Sequence, residues 1–457
     1  MNRLICFILW ATALPSAAAA GDQVLLAQVG AKSPPVEQAL PTEPTDVAPV
    51  PDSKIDKQPG VLGLEDAIQH ALERSPRLKA VRASEAASRG ERRQAGALPN
   101  PVAGFSKQNI KATGAYKVIS PGQSVYEVSQ LVEVGGKVSA RKEIADKAVR
   151  IAGLESQAAA LDLVRDVTIA YADAVAAEEN VRLAKEQKAL AQDVLKTVTA
   201  RVDAAASPLI QKSRAEVERA TAAVGLDSAE RERAISLKAL ATLLGDDESS
   251  FTLDKTAFFT RPTTDVPTGP ETLNGNPDLA RLDTVLEQSK AKLALEKANA
   301  IPDPTLNAGL IRIPSANGSA LVVGVALPIP VLNMNRGNIE KARSEVTRAE
   351  EDNRHVALSL NADLARAGQQ MMNADVAAKT LSTEIIPSAK KAYSLAREGY
   401  GQGRFPYIEV LDAQRSLFSA RQQHIAALKA YHTARAILER LSARHAGELE
   451  WVEGKND

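Results

Sequence analysis

The chain repeats itself. In its first half Ser75-Pro76-Arg77-Leu78 opens a helical stretch that ends at Ala97-Leu98-Pro99-Asn100-Pro101, and in its second half Asn276-Pro277-Asp278-Leu279 opens one that ends at Ala300-Ile301-Pro302-Asp303-Pro304. Ser or Asn before Pro predicts an N-cap followed by a residue pre-set for the first helical turn. A Pro-x-Pro exit cannot continue a helix. A period of this length means two related supersecondary units that must be placed together, which constrains the fold more than any single motif.

After each exit the pattern changes to short strands. Thr305 to Ile313 and Ala320 to Leu327 flank Ser315-Ala316-Asn317-Gly318, and Asn-Gly is a strong hairpin-turn signal. The first-half counterpart, Val102 to Ile110 and Ser124 to Val132, alternates less cleanly around Gly114 and Pro121-Gly122. Each hairpin feeds a long helix. Residues 137–202 contain no proline and one glycine, Gly153, and would extend roughly 100 Å. Leu154, Leu161, Val164, Tyr171 and Val175, then Leu183, Leu190, Val194, Val198 and Val202, step by three, four or seven, a coiled-coil-like stripe with Ala between. The second-half partner runs from Gly337 to about Tyr400, with a kink expected at Pro387. Breaks at 203–208 and 399–406 reverse the chain into helices over about 208–244 and 406–446. The stretches 64–74, 76–98 and 208–244, laid end to end, roughly match the helix 137–202.

The ends read differently. Residues 1–20 have a basic start, an apolar run and an Ala-x-Ala site, the signature of a secretory signal peptide. Cys6, the one cysteine, lies within it and precedes most of the apolar run, so it is no lipidation site. Residues 21–60 hold seven prolines and no apolar periodicity, as in a disordered linker. The expected organisation is therefore signal 1–20, linker 21–60, first repeat 61–245, inter-repeat segment 246–270, second repeat 271–446 and tail 447–457. Without mature thiols, and with His70, His355, His424, His432 and His445 scattered, no metal-ligand pattern arises and no cofactor is implied. Fifty-six basic and 56 acidic residues give a net charge of +0, which argues against nucleic-acid binding. Gly135-Gly136-Lys137 fails the phosphate-loop spacing, since Leu131 and Val138 stand where Gly and Ser or Thr are needed. No enzyme motif remains.

A needle of helices with an apolar stripe must bury it against its own partners or other subunits. No stretch is long and apolar enough for a membrane helix, so a spanning mature chain would have to use a closed barrel. Four strands do not close one, and the smallest bacterial barrels have about eight. Twelve strands from three chains, or eight from two, would suffice. A small periplasmic sheet in a soluble coiled-coil adaptor is the alternative for the same strands.

The arrangement over residues 61–446 resembles the TolC-type outer-membrane efflux proteins. The resemblance rests on Ile386-Pro387, on Tyr400-Gly401-Gln402-Gly403-Arg404 and on Val410-Leu411-Asp412-Ala413-Gln414-Arg415. Leu98-Pro99-Asn100-Pro101, Glu133-Val134-Gly135-Gly136-Lys137 and Leu327-Pro328-Ile329-Pro330-Val331-Leu332-Asn333 with Arg336-Gly337 are similar to its heavy-metal, cobalt–zinc–cadmium type branch. The resemblance implies a mainly α fold with a small β part. Duplicated helical hairpins would form a trimeric α-barrel, and four strands per subunit would join a shared 12-strand barrel in the outer membrane of a Gram-negative bacterium, most of the protein being periplasmic. It implies a passive conduit for divalent heavy-metal cations. A periplasmic adaptor would link it to an inner-membrane resistance-nodulation-division pump driven by protons. Organic toxicants or secreted protein are the alternative cargoes.

In that family the helical tips bind the adaptor, and a Tyr-x-x-Gly turn helps hold the closed state. Tyr400 and Gly403 match this turn, whereas Leu209 stands where an acidic partner is expected. The gate and adaptor-contact candidates are therefore Asp203, Ser207, Tyr400, Gly403, Arg404, Glu409 and Asp412, with a gate of different build expected around Tyr400, Asp203 and Arg404. The strand turns near 112–122 and 314–319 are expected outside the cell, with Lys107, Lys111 and Lys117 in or near the outer rim or the lumen, not against lipid.

Overall fold

The computed structural model describes residues 61–108, 114, 122–246, 251–260, 270–313 and 317–444. The expected signal, linker and tail lie outside these residues, as do Lys111, Lys117, most of the first strand turn and half of the second.

The first repeat comprises β1 (Val61–Leu62), α1 (Leu64–Arg74), α2 (Pro76–Ala95), β2 (Val102–Gln108), β3 (Gln123–Leu131), α3 (Lys137–Asp203) and α4 (Leu209–Leu244). The short β4 (Thr252–Leu253) and α5 (Thr256–Phe259) follow. A 3₁₀ turn (Pro270–Leu273) opens the second repeat: α6 (Pro277–Asn299), β5 (Thr305–Ile313), β6 (Gly318–Ala326), α7 (Arg336–Thr380), a π turn (Leu381–Ile385), α8 (Ile386–Gly401) and α9 (Tyr407–Leu441).

The 67-residue α3 is the shared spine. Ion pairs mark the order along it: Arg77–Asp166 at 3.2 Å places α2 on its first half, and Arg233–Glu178 at 3.5 Å places α4 on its second. α1 lies between them, where Gly245 closes on the Arg74 carbonyl. α6 and α9 join α3 from the second repeat through Arg281–Glu155 at 3.9 Å and Arg421–Glu186 at 2.8 Å. Of the stripe read from the sequence, Leu161, Val164, Tyr171, Val175, Leu183 and Val198 are buried, with Val167 beside them, and Leu154, Leu190, Val194 and Val202 are half-buried. Small Ala between them, such as Ala174 at 0% exposure, lets neighbouring helix backbones approach. At mid-length the Tyr171 hydroxyl donates to the Asp254 carbonyl at 2.6 Å and lies 2.9 Å from that of Leu62, tying α3 to the parallel β1–β4 bridge.

Ser75 and Asn276 both hold the N-cap positions read from the sequence. Asn276 caps α6 through its side chain, accepting from the Asp278 amide at 2.8 Å, but Ser75 makes no such bond. Ser75 is also the last capping residue of α1, so its backbone serves two helices at once. At Pro387 the helix forms a π turn over the preceding residues, and the proline enters in the first turn of α8, where its missing amide matters least.

The strands form one antiparallel sheet in the order β2-β3-β5-β6. Its register sorts the side chains. One face carries the rows Ala103-Val128-Ala308-Val323 and Phe105-Tyr126-Leu310-Leu321. The other carries Gly104-Glu127-Gly309-Val322 and, one row nearer the helices, Val102-Ser129-Asn307-Gly324. The first face is apolar through these rows, the pattern a lipid-facing wall requires, and the second is mixed in polarity. Lys107, expected at the rim or in the lumen, sits at the end of β2 away from the helices, on the apolar face. Where the strands meet the helices, Lys137 is buried and pairs with Asp303 at 2.7 Å while donating to the Ile301 carbonyl at 2.6 Å. Asp303 also accepts from the Val134 amide at 2.9 Å. Arg141 and Glu133 pair alongside.

Candidate functional site

The helix ends opposite the sheet are two turns of the same construction. After α3, the amides of Ala204, Ala205 and Ala206 donate to the carbonyls of Ala200, Val202 and Arg201. After α8, those of Gln402, Gly403 and Arg404 donate to Glu398, Tyr400 and Gly399. Each turn needs one left-handed residue to redirect the chain, Ala205 at φ 54° and Gly403 at φ 73°. Pro208 and Pro406 then cap the returning helices in extended conformation.

The matched hydrogen bonds align Arg201 with Gly399 and Ser207 with Phe405. The two tips use these positions in opposite ways. Phe405 lies directly over Gly399, where an added Cβ would come within 2.2 Å of its ring. In the first tip the large residue is Arg201 and the small one Ser207, whose Oγ is 3.4 Å from Arg201 Nε. Arg201 is thus free to reach the second tip. Its Nη1 donates to the carbonyls of Tyr400 at 3.0 Å and Gly401 at 3.4 Å. The Tyr400 hydroxyl donates back across the gap to Gln211 Oε1 on α4 at 3.2 Å.

Beneath this clasp is a small apolar core of Val198, Ala215, Tyr400, Tyr407, Val410 and Leu411. The Tyr400 and Tyr407 rings are 5.7 Å apart. Burial, with Glu218 adding to it, pushes the Tyr407 hydroxyl up to about 12, so it stays neutral. Further from the tips, Arg397 pairs with Asp193 at 3.2 Å and Arg415 with Glu218, again joining one hairpin to the other.

Of the sequence candidates, Tyr400, Gly403 and Ser207 belong to this clasp. Asp203, Arg404, Glu409 and Asp412 are exposed on the subunit surface, and Leu209 is 68% exposed. Within this chain Tyr400 therefore meets Arg201 and Gln211. Sequence reading missed Arg201 and Gln211. Aligning the two breaks residue by residue would have flagged Arg201, a bulky cation where the other repeat has Gly399. Among the described residues no three His, Cys, Asp or Glu side chains gather as metal ligands. No described helix is long and apolar enough to cross a membrane.

Comparison with known proteins places this architecture. The sequence profile of the outer membrane efflux protein family matches residues 67–246 and 269–444, one span for each repeat. The cobalt-zinc-cadmium resistance protein CzcC of Cupriavidus metallidurans is 27% identical over 386 residues, 84% of this chain and 91% of that protein. The nickel and cobalt resistance protein CnrC of the same organism is 29% identical over 308 residues, 67% of this chain and 73% of that one. Among solved structures, CusC superposes with a TM-score of 0.71 at 18% identity over 83% of this chain and 91% of its own. The open-state MtrE outer membrane channel of Neisseria gonorrhoeae gives 0.68 at 24% identity, over 83% and 88%.

Proposed function

This chain belongs to the outer membrane efflux protein family, and on that premise we propose that it conducts divalent heavy-metal cations outward through a homotrimeric channel. It is an outer-membrane efflux channel with a large periplasmic helical part, and channels of this family work within tripartite efflux systems. The similarity to CzcC along 84% of the chain is the observation that carries the cation reading.

What one subunit leaves open supports the trimer. Its sheet has free edges at β2 and β6, and a twelve-strand closure needs three copies. Ile210, Val217 and Val224 stand exposed at heptad spacing on α4, and Leu358, Met372 and Val376 are exposed on α7. Such stripes call for neighbouring subunits. The six helical turns of a trimer would ring one periplasmic aperture. The Arg201–Tyr400–Gln211 clasp holds each subunit's two tips together there, and exposed Asp203, Arg404, Glu409 and Asp412 face the next subunit or the adaptor. The adaptor in turn connects to a proton-driven resistance-nodulation-division pump, which supplies energy and most substrate choice.

Deleting the gene and growing the strain on a panel of cations and organic toxicants tests the cargo. Sensitivity to zinc, cadmium, cobalt or nickel alone supports the reading, and sensitivity confined to organic compounds overturns it. A native mass of one subunit in detergent would overturn the trimer.

A further inference from the structure

The described strand residues include three charged side chains, Lys107, Glu127 and Arg312. Two of them fall in one row. Lys107 pairs with Ser124, Ser124 with Arg312, and Arg312 with Ser319, so a Lys-Ser-Arg-Ser row crosses all four strands. It lies on the same face as Phe105, Tyr126, Leu310 and Leu321, one row farther from the helices. The face that is apolar through its middle thus turns cationic and hydroxylated at its outer end, while Glu127 lies on the opposite face.

Depth explains why the charges are tolerated. A Lys or Arg on the lipid face costs about 2–4 kcal/mol at the bilayer midplane and about 0–1 near the interface. Lys107 and Arg312 stand where the apolar rows end, the Phe105 and Tyr126 rings packing 5.1 Å apart just below. Tolerance does not explain convergence. The two cations flank Ser124 from the strands on either side, and their Cα positions are roughly 10 Å apart across two strand spacings. Both side chains are exposed and long enough to meet over the serine. A guanidinium fork, an ammonium and a hydroxyl around one point form a donor set suited to phosphate oxygens. At this height, on this face and at the end away from the periplasmic helices, the available anion is the phosphate of an outer-leaflet glycolipid.

We propose that Lys107, Ser124 and Arg312 bind the headgroup phosphate of an outer-leaflet glycolipid against the outer wall of the barrel. The assignment rests on the outer-membrane reading above, with this sheet as the lipid-facing wall.

Native mass spectrometry of the intact channel in detergent tests it, with diphosphoryl lipid A and its dephosphorylated form as probes. The wild-type channel is expected to retain the diphosphoryl form about tenfold better. Lys107→Gln/Arg312→Gln should abolish that preference at unchanged oligomer mass, and Lys107→Arg/Arg312→Lys should keep it. Equal retention of the two lipids by the wild type, or a preference that survives the double Gln variant, overturns the proposal. The wild-type comparison decides it even where the Gln variant does not assemble. Displacement of the lipid by millimolar inorganic phosphate would make this a free-anion site and also overturn it. A channel that binds neither lipid and does not fractionate with the outer membrane would instead overturn the underlying membrane reading.

Discussion

The guanidinium of Arg201 rests on the ring of Tyr400, its Cζ 4.8 Å from the ring centroid, while the same side chain donates to the Tyr400 carbonyl at 3.0 Å. One residue of the first repeat thereby holds both the side chain and the backbone of a helix end in the second. Tyr400 is buried, so water competes poorly for these contacts.

Arg201→Ala should weaken the joint between the tips by about 1–3 kcal/mol, from a cation–π contact and lost hydrogen bonds. Single-channel conductance in planar bilayers should rise, with Arg201→Lys intermediate because it keeps the charge and loses the fork. Unchanged conductance with intact trimers would remove Arg201 from the gate.

Gly399→Ala should disturb the second tip, because the new Cβ meets the Phe405 ring at 2.2 Å. Overpacking of this kind costs about 1–3 kcal/mol. Adding Phe405→Ala should recover part of the loss, and a double-mutant cycle on thermal unfolding measures the coupling.

Ala205→Gly should stabilise. Ala205 holds φ 54°, where a Cβ costs on the order of 1 kcal/mol that glycine avoids, and greater backbone entropy in the unfolded chain offsets part of the gain. A net rise in unfolding temperature is expected. The same change at exposed Ala204, which has φ −82°, should lower it.

Asp303→Ala should be among the most damaging single changes, at about 3–5 kcal/mol, because it leaves Lys137 buried and unpaired. Adding Lys137→Met should restore much of the loss. Unfolding curves of the three variants in detergent distinguish the pair's contribution from the cost of an orphaned charge.

The same junction predicts an acid limit. Burial raises the Asp303 carboxyl, but the Lys137 hydrogen bond and the Val134 amide outweigh it and hold it below the ordinary carboxylate range. The Arg141 hydrogen bond holds Glu133 low as well. Groups lowered on folding stabilise above their unfolded values, about 4 for these carboxyls, and lose that stabilisation as pH falls through the lower folded values. Stability should therefore fall below about pH 4, with a smaller acid dependence in Asp303→Asn.

The sequence by itself determined the elements. Proline at 76, 277, 208 and 406 and the apolar stepping from Leu161 to Val198 act within a few residues, so helix ends and buried faces could be read locally. The duplication carried that reading to both halves. The glycines at 399, 401 and 403 marked the second reversal, and the structure put the left-handed residue at Gly403. Only the tertiary structure decided which side chains meet across the repeats. Arg201 and Tyr400 are 199 positions apart in the chain, and their contact depends on how α3 and α8 each pack on α9. Lys137 with Asp303, and Lys107 in one row with Arg312, likewise depend on strand register between halves. Long-range pairing leaves no local periodicity to detect, so a charged residue that closes a buried pair looks, in sequence, like any solvated one.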